Sequence, residues 1–336
     1  MKILVTGAFG NVGSSTLNEL LKRGHEVKVL ERDTQQNRLT AKRYKRRADI
    51  RFGDILNVRD VGDAVAGMDA VVHLAAVIPP LADRKPGLAE YINVGGTRNI
   101  IGEMERQDKR PKLIYTSSIA VYGDRLDSPY IGKEDRPCPN TGDHYAWQKL
   151  RCEELIRGSG LSWAVLRLTY IVSPAHLKMD PLMFEMPPGT SIEICHSRDA
   201  GLAIANAVES EDVWGKVLNI AGGEKCRTTY REYVDRMLLI FGMGERFIPE
   251  GAFSHGRFHC GFMDTAESES LLRYQRHTLA DYYKEIEKKY RFRGLLIALA
   301  RPFARWYLIN RSPYYRISFR DALQVVNRLL YRKAAH

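Results

Sequence analysis

Lys2-Ile3-Leu4-Val5-Thr6-Gly7-Ala8-Phe9-Gly10-Asn11-Val12-Gly13 joins a short apolar run to a glycine-punctuated turn, and residues 12–22 continue with helical spacing. A strand that feeds a helix through such a turn aims the helix's unpaired amides at an anion. Gly7 permits the tight turn, Gly10 lets backbone approach a pyrophosphate, and Gly13 allows the helix to pack closely on the sheet. Alone, glycines at this spacing are ordinary turn punctuation. Directly after an apolar strand they predict a dinucleotide site, with Phe9, Asn11 and Val12 in its loop.

Outward from this turn, strand-like runs at 2–6, 26–31, 49–52, 70–74, 112–117 and 163–168 alternate with helical stretches such as 88–105 and 144–157. That alternation predicts α/β architecture: a doubly wound parallel sheet of the Rossmann kind over residues 1–173. The Pro/Gly-rich stretch 174–189 marks a shift in composition. Helices over 197–208 and 228–241, a strand at 217–220 and a turn at Gly222-Gly223 suit a smaller α/β substrate lobe over 174–290, interleaved with the core.

The formal charge of +11 is unevenly spread. From Lys284 to His336 there are thirteen Lys or Arg against three Asp or Glu, which leaves the first 283 residues at +1. The basicity therefore belongs to a helical tail over 291–336, and the chain lacks a nucleic-acid recognition motif. Residues 294–309 are too short and too charged to span a bilayer. With Arg291, Arg293, Arg311 and Arg316 around them they have the composition of a peripheral membrane segment, although the aromatic content and the amphipathic run 317–331 suit a docked hairpin better. The five cysteines, Cys138, Cys152, Cys195, Cys226 and Cys260, are scattered without the pairing of zinc sites, so no metal is expected and a reducing cytoplasm fits. No secretory leader is evident at the start.

Glu31 ends the second strand, where a carboxylate accepts from ribose hydroxyls and repels a 2′-phosphate; this favours NAD. Arg32 and the basic run from Arg38 to Arg47 keep NADP open. Asp54, with Ile55 beside it, stands where it would cap an adenine, or simply close a turn. Tyr145-Ala146-Trp147-Gln148-Lys149 sets a phenol and an ammonium on one helix face, and the ammonium is expected to lower the phenol's pKa while holding the nicotinamide ribose. Thr116-Ser117-Ser118 ends the fifth strand, where open α/β sheets place ligands.

Together with His73-Leu74-Ala75-Ala76, Asn93-Val94-Gly95-Gly96-Thr97 and Val121-Tyr122-Gly123, these motifs make the chain resemble an extended short-chain dehydrogenase/reductase, close to the NAD-dependent epimerase/dehydratase family, over roughly residues 1–223. The resemblance implies that Ser118 orients the substrate oxygen, Tyr145 is the general acid/base and Lys149 tunes it. Asn93 would hold a helix kink and a proton-relay water, and Leu74, Ala75 and Ala76 would line the dinucleotide. It also implies a homodimer. Ile119 and Ala120 stand where the family's dehydratases carry an Asp-Glu pair, so dehydration is disfavoured. Epimerisation of a nucleotide-linked sugar through a transient ketone leads, with Arg198 or Arg257 as diphosphate partners. The alternatives are reduction or oxidation of an apolar ketone or alcohol, served by a greasy lobe of Leu182, Met183, Phe184 and Met186, and a non-catalytic dinucleotide scaffold.

Overall fold

The computed structural model describes residues 1–175, 177 and 181–316, so the run 317–331 lies outside the described residues. Seven parallel strands form one sheet in the order β10-β7-β5-β4-β1-β2-β3: β1 (Lys2–Thr6), β2 (Glu26–Glu31), β3 (Asp49–Phe52), β4 (Ala70–His73), β5 (Lys112–Ser118), β7 (Trp163–Leu168) and β10 (Val217–Ile220). Ile3, Leu4 and Val5 are fully buried. Each such side chain contributes about 1.5–3 kcal/mol by leaving water, which explains why an unbroken apolar run becomes a central strand covered on both faces.

Helices α1 (Asn11–Lys22), α2 (Gln35–Ala41), α3 (Val58–Val65), α4 (Leu81–Arg84), α5 (Pro86–Glu90), α6 (Gly96–Glu105) and α7 (His144–Arg157) follow the strands of the first half. The sheet packs against α1 and α8 (Ser197–Glu209) on one face and against α3, α6 and α7 on the other, giving two apolar layers. The expected helix over 88–105 is instead interrupted by a π-turn, Tyr91–Gly95.

The smaller lobe holds a three-stranded sheet, in which β9 (Ser191–His196) pairs in parallel with β8 (Tyr170–Val172) and antiparallel with β11 (Arg227–Thr229). A two-stranded parallel pair joins β6 (Tyr130–Ile131) to β12 (Phe262–Met263). The second core lies under α9 (Tyr230–Ile240), α11 (Leu279–Leu299) and α12 (Arg301–Ile309), while α10 (Ala266–Leu272) closes on β10. Interleaving is literal: α8 and β10, expected among the elements of the substrate lobe, are built into the main sheet layer, with Val217 to Ile220 paired to Val165 to Leu168. Among the described residues, no helix is long and apolar enough to cross a membrane. Helix α12 docks on the smaller lobe with Leu308 and Ile309 buried.

Candidate active site

The turn after β1 is shaped as a phosphate cradle. Gly7 has φ +71°, and a Cβ there would lie 2.6 Å from the Ala75 nitrogen. A Cβ on Gly13 would lie 2.0 Å from the Gly7 carbonyl oxygen. Helix α1 begins with Gly10 as an N-cap that has no side-chain cap, so its first amides are left for an anion. The Glu31 carboxylate accepts from the Phe9 amide at 2.9 Å and from the Asn37 side chain at 3.3 Å. Burial raises its pKa against the pull of that amide and of the Arg32 charge. Glu31 thus braces the loop as well as standing at the ribose position. Arg32 is exposed, and Asp54 closes its own turn by accepting from the Leu56 amide at 2.9 Å. Ile55 is buried against Gly96, and Leu74, Ala75 and Ala76 are half-buried beside the glycine turn. These groups fit the cradle a dinucleotide needs.

Ser118 at the end of β5 and Tyr145 and Lys149 on α7 come together. Asp143 starts α7 by accepting from the Ala146 amide at 2.9 Å. The Tyr145 phenol is hydrogen-bonded to Ser118, and the Ser118 hydroxyl accepts from the Ala120 amide at 3.2 Å. Lys149 is buried, donates to the Thr116 carbonyl at 2.7 Å, and sits 4.7 Å from the Tyr115 ring centroid and 5.8 Å from that of Tyr145. One expectation needs correcting. Burial pushes the Tyr145 phenol up, Ser118 pulls it down, and the Asp143 charge raises it further; the lysine is held by a carbonyl rather than by the phenol. Burial also pushes Lys149 down to about 8.

Asn93 sits in the π-turn and braces it. Its side chain accepts from the Val77 amide at 2.7 Å and donates to the Val77 carbonyl and, at 2.8 Å, to Gln148 between Tyr145 and Lys149. Its backbone oxygen accepts from Thr97 at 2.7 Å and Cys152 at 3.5 Å. Ile119 and Ala120 are buried in the short turn after Ser118.

The two arginines proposed for substrate separate. Arg198 on α8 is ion-paired with Glu285 on α11, whereas Arg257 is exposed in the segment leading to His259. Sequence reasoning missed His259, which reaches Asp143 at 2.5 Å and ties the smaller lobe to the start of the catalytic helix. His73, quoted in the sequence motif without a role, is a buried pin between Thr6 at 2.7 Å and Thr97 at 3.1 Å, and burial pushes its pKa down to about 3.

A cavity of about 530 Å³ lies where the smaller lobe meets the glycine turn. Tyr170, Met183, Tyr233 and Met237 are among its walls, and Asn11 is at its edge. The Asn11 Oδ1 atom is buried without a hydrogen-bond partner among the described residues. The lining does not include Ser118 or Tyr145. It does include Tyr170 to Ser173, just after β7, whose Leu168 is in register with Ser118. The cavity therefore lies beyond the end of β7, beside the strand that ends in Ser118, the usual ligand position in such sheets.

Fold and site together define a dinucleotide-binding α/β protein with the serine, tyrosine and lysine of short-chain dehydrogenases. A model of the NAD dependent epimerase/dehydratase family matches residues 3–186, and the chain belongs to that NAD-dependent family. It is 33% identical over 165 residues to a UDP-glucose 4-epimerase of Erwinia amylovora, covering 47% of this chain and 48% of the relative. It is 31% identical over 192 residues to a 3-beta-hydroxysteroid dehydrogenase of Mycolicibacterium neoaurum, covering 54% and 50%. The chain thus spans about half the length of these curated relatives. Its fold is that of a double mutant of dTDP-glucose 4,6-dehydratase from Streptomyces venezuelae with NAD bound, at TM-score 0.74 and 24% identity over 87% of this chain and 97% of that one.

Proposed function

We propose that this protein is an NAD-dependent oxidoreductase of an apolar ketone or alcohol, the class to which its hydroxysteroid dehydrogenase relative belongs. The observation that carries this reading is the cavity beside the glycine turn, walled by tyrosine, methionine and leucine. Arg198, one of the two candidate diphosphate partners, is paired with Glu285 on α11 and is not among the residues lining that cavity. Epimerisation of a nucleotide-linked sugar is the second reading, favoured by Arg257, exposed two residues before the histidine that meets the catalytic helix.

Gly7 to Gly13 and Glu31 would hold NAD, with Glu31 favouring it over NADP. NAD, when bound, supplies or accepts the hydride at the substrate carbon. In reduction, Tyr145 gives its proton to the substrate oxygen, and Ser118 donates a hydrogen bond that orients that oxygen. Lys149 holds positive charge beside the phenol. Exposed Leu88, Tyr91 and Trp147 on α5, the π-turn and α7 offer an apolar face for a homodimer, and the free cysteines fit a reducing cytoplasm.

The test is NADH absorbance in the presence of a panel of apolar ketones. Stoichiometric loss of NADH supports the oxidoreductase. Conversion of a nucleotide sugar to its epimer with no net change in NADH overturns it in favour of the second reading.

A further inference from the structure

Helix α12 buries Leu308 and Ile309, but it also departs from the usual order of a water-facing helix. Its Arg305 is 6% exposed, donates to the Phe247 carbonyl and lies 5.4 Å from the Phe247 ring centroid. Its Arg301 donates to the Gly242 carbonyl at 2.7 Å. One helical turn apart on the outer side, Phe303 and Tyr307 are 56% and 50% exposed and stack at 6.3 Å, with Trp306 against Phe303 at 5.9 Å. A soluble surface helix buries its apolar stripe and exposes its charges. Here the arginines serve as anchors, and large aromatic rings face outward.

The surroundings decide what that face suits. Lys288, Arg291, Arg311 and Arg316 are exposed nearby in sequence, and Arg311 lies 5.6 Å over the Tyr307 ring and donates to its hydroxyl. The stretch from Lys284 carries thirteen Lys or Arg against three Asp or Glu. A second copy would bring the same positive surplus against itself. An anionic lipid surface opposes it, and aromatic rings with flanking arginines suit the headgroup zone.

We propose that Phe303, Trp306 and Tyr307 dock this protein on an anionic phospholipid surface, with the arginines at headgroup level. Helix α11, against which α12 packs, forms one side of the cavity. Tyr290 of α11 lines it and meets Phe241 at 5.2 Å, and Arg301 is tied to Gly242 between the lining residues Phe241 and Met243. Docking therefore tethers the cavity close to the lipid in which an apolar substrate would dissolve; this last step rests on the apolar-substrate reading.

The experiment is co-sedimentation of the full chain at low salt with vesicles of equimolar phosphatidylserine and phosphatidylcholine, and with phosphatidylcholine alone. It compares the wild type with a Phe303→Ser, Tyr307→Ser double variant shown to keep its melting temperature and NAD binding. Expected are binding to the anionic vesicles that weakens with salt, and a drop of about tenfold or more in the variant's partition coefficient. Three outcomes overturn docking: no wild-type binding, equal binding by the variant, or a wild-type dimer that the variant loses without any vesicle binding. Turnover of a dispersed ketone is read separately and should be unchanged in the variant. Failure of vesicle binding with that turnover intact leaves the oxidoreductase reading standing.

Discussion

Polar groups behind α7 and the walls of the cavity beside the glycine turn are organised on opposite principles. Behind the helix, the fully buried Glu153 accepts from Ser117 at 2.6 Å, from Arg157 at 2.9 Å and from Arg167 at 3.0 and 2.7 Å, and Arg167 continues to Tyr122 and on to Asn219. Around the cavity, shape is set by rings and thioethers, and the Asn11 oxygen has no hydrogen-bond partner among the described residues. Directional bonds fix a geometry; apolar walls select by area and tolerate variation. On the proposed function, the difference teaches that the proton-transfer groups are held by directional bonds while the substrate side accommodates.

The hardest test of that contrast is Tyr145→Phe. Removing the phenolic oxygen while keeping the ring should cost about 10²–10⁴-fold in turnover and leave NAD binding unchanged. Stopped-flow rates beside a fluorescence titration of NADH check it. Normal turnover would assign the proton to another group.

Next comes Glu153→Gln. Neutralising the carboxylate leaves Arg167 buried with a weaker partner, a loss of about 3–5 kcal/mol for breaking such a pair. Denaturant unfolding with an unchanged slope measures it. A cost under about 1 kcal/mol would show that the network is not acting as a unit.

The same rigidity makes a pH prediction with a definite sign. Lys149 is pushed down to about 8 from its ordinary 10.5, so between those values the unfolded chain binds more protons and folding stability rises with pH. Activity that needs the ammonium falls over the same window. Melting temperature and kcat/KM should therefore move in opposite directions above pH 8, and the lysine's share of the stability rise should vanish in Lys149→Met. A flat kcat/KM profile across pH 8 would remove the ammonium from the chemistry.

What could be read from residue order divides along the same line. The strands of the main sheet follow from apolar runs between glycine turns, and the phenol and ammonium share a face because helical periodicity puts them there. The π-turn at Tyr91–Gly95 carries no local signature, since one extra residue per turn leaves the hydrophobic pattern nearly intact. The upward shift of the Tyr145 phenol was not foreseen because its largest cause is burial, which a sequence does not display. The Asp143–His259 contact and the cavity were illegible because their members are far apart in the chain: His259 lies 116 residues beyond its partner, and the walls draw on Asn11, Tyr170 and Tyr282 alike.

The smallest expected effect sharpens the comparison most directly, because it keeps the chemistry and changes only the surroundings. Glu285 pairs with Arg198 as Glu153 pairs with Arg167, but its side chain is 35% exposed against 0%, and that of Arg198 is 50% exposed. Water already solvates both partners there, so Glu285→Gln should cost no more than about 1 kcal/mol and fade further in salt. Its effect on kcat should be nil, since the pair ties α8 to α11 and touches neither Ser118 nor Tyr145. Unfolding curves for the two glutamine variants, measured side by side at low and high salt, separate the cases. A large salt-independent loss at position 285 would mean that the junction between sheet and C-terminal helices is as rigid as the catalytic helix, and the contrast between the two regions would then fail.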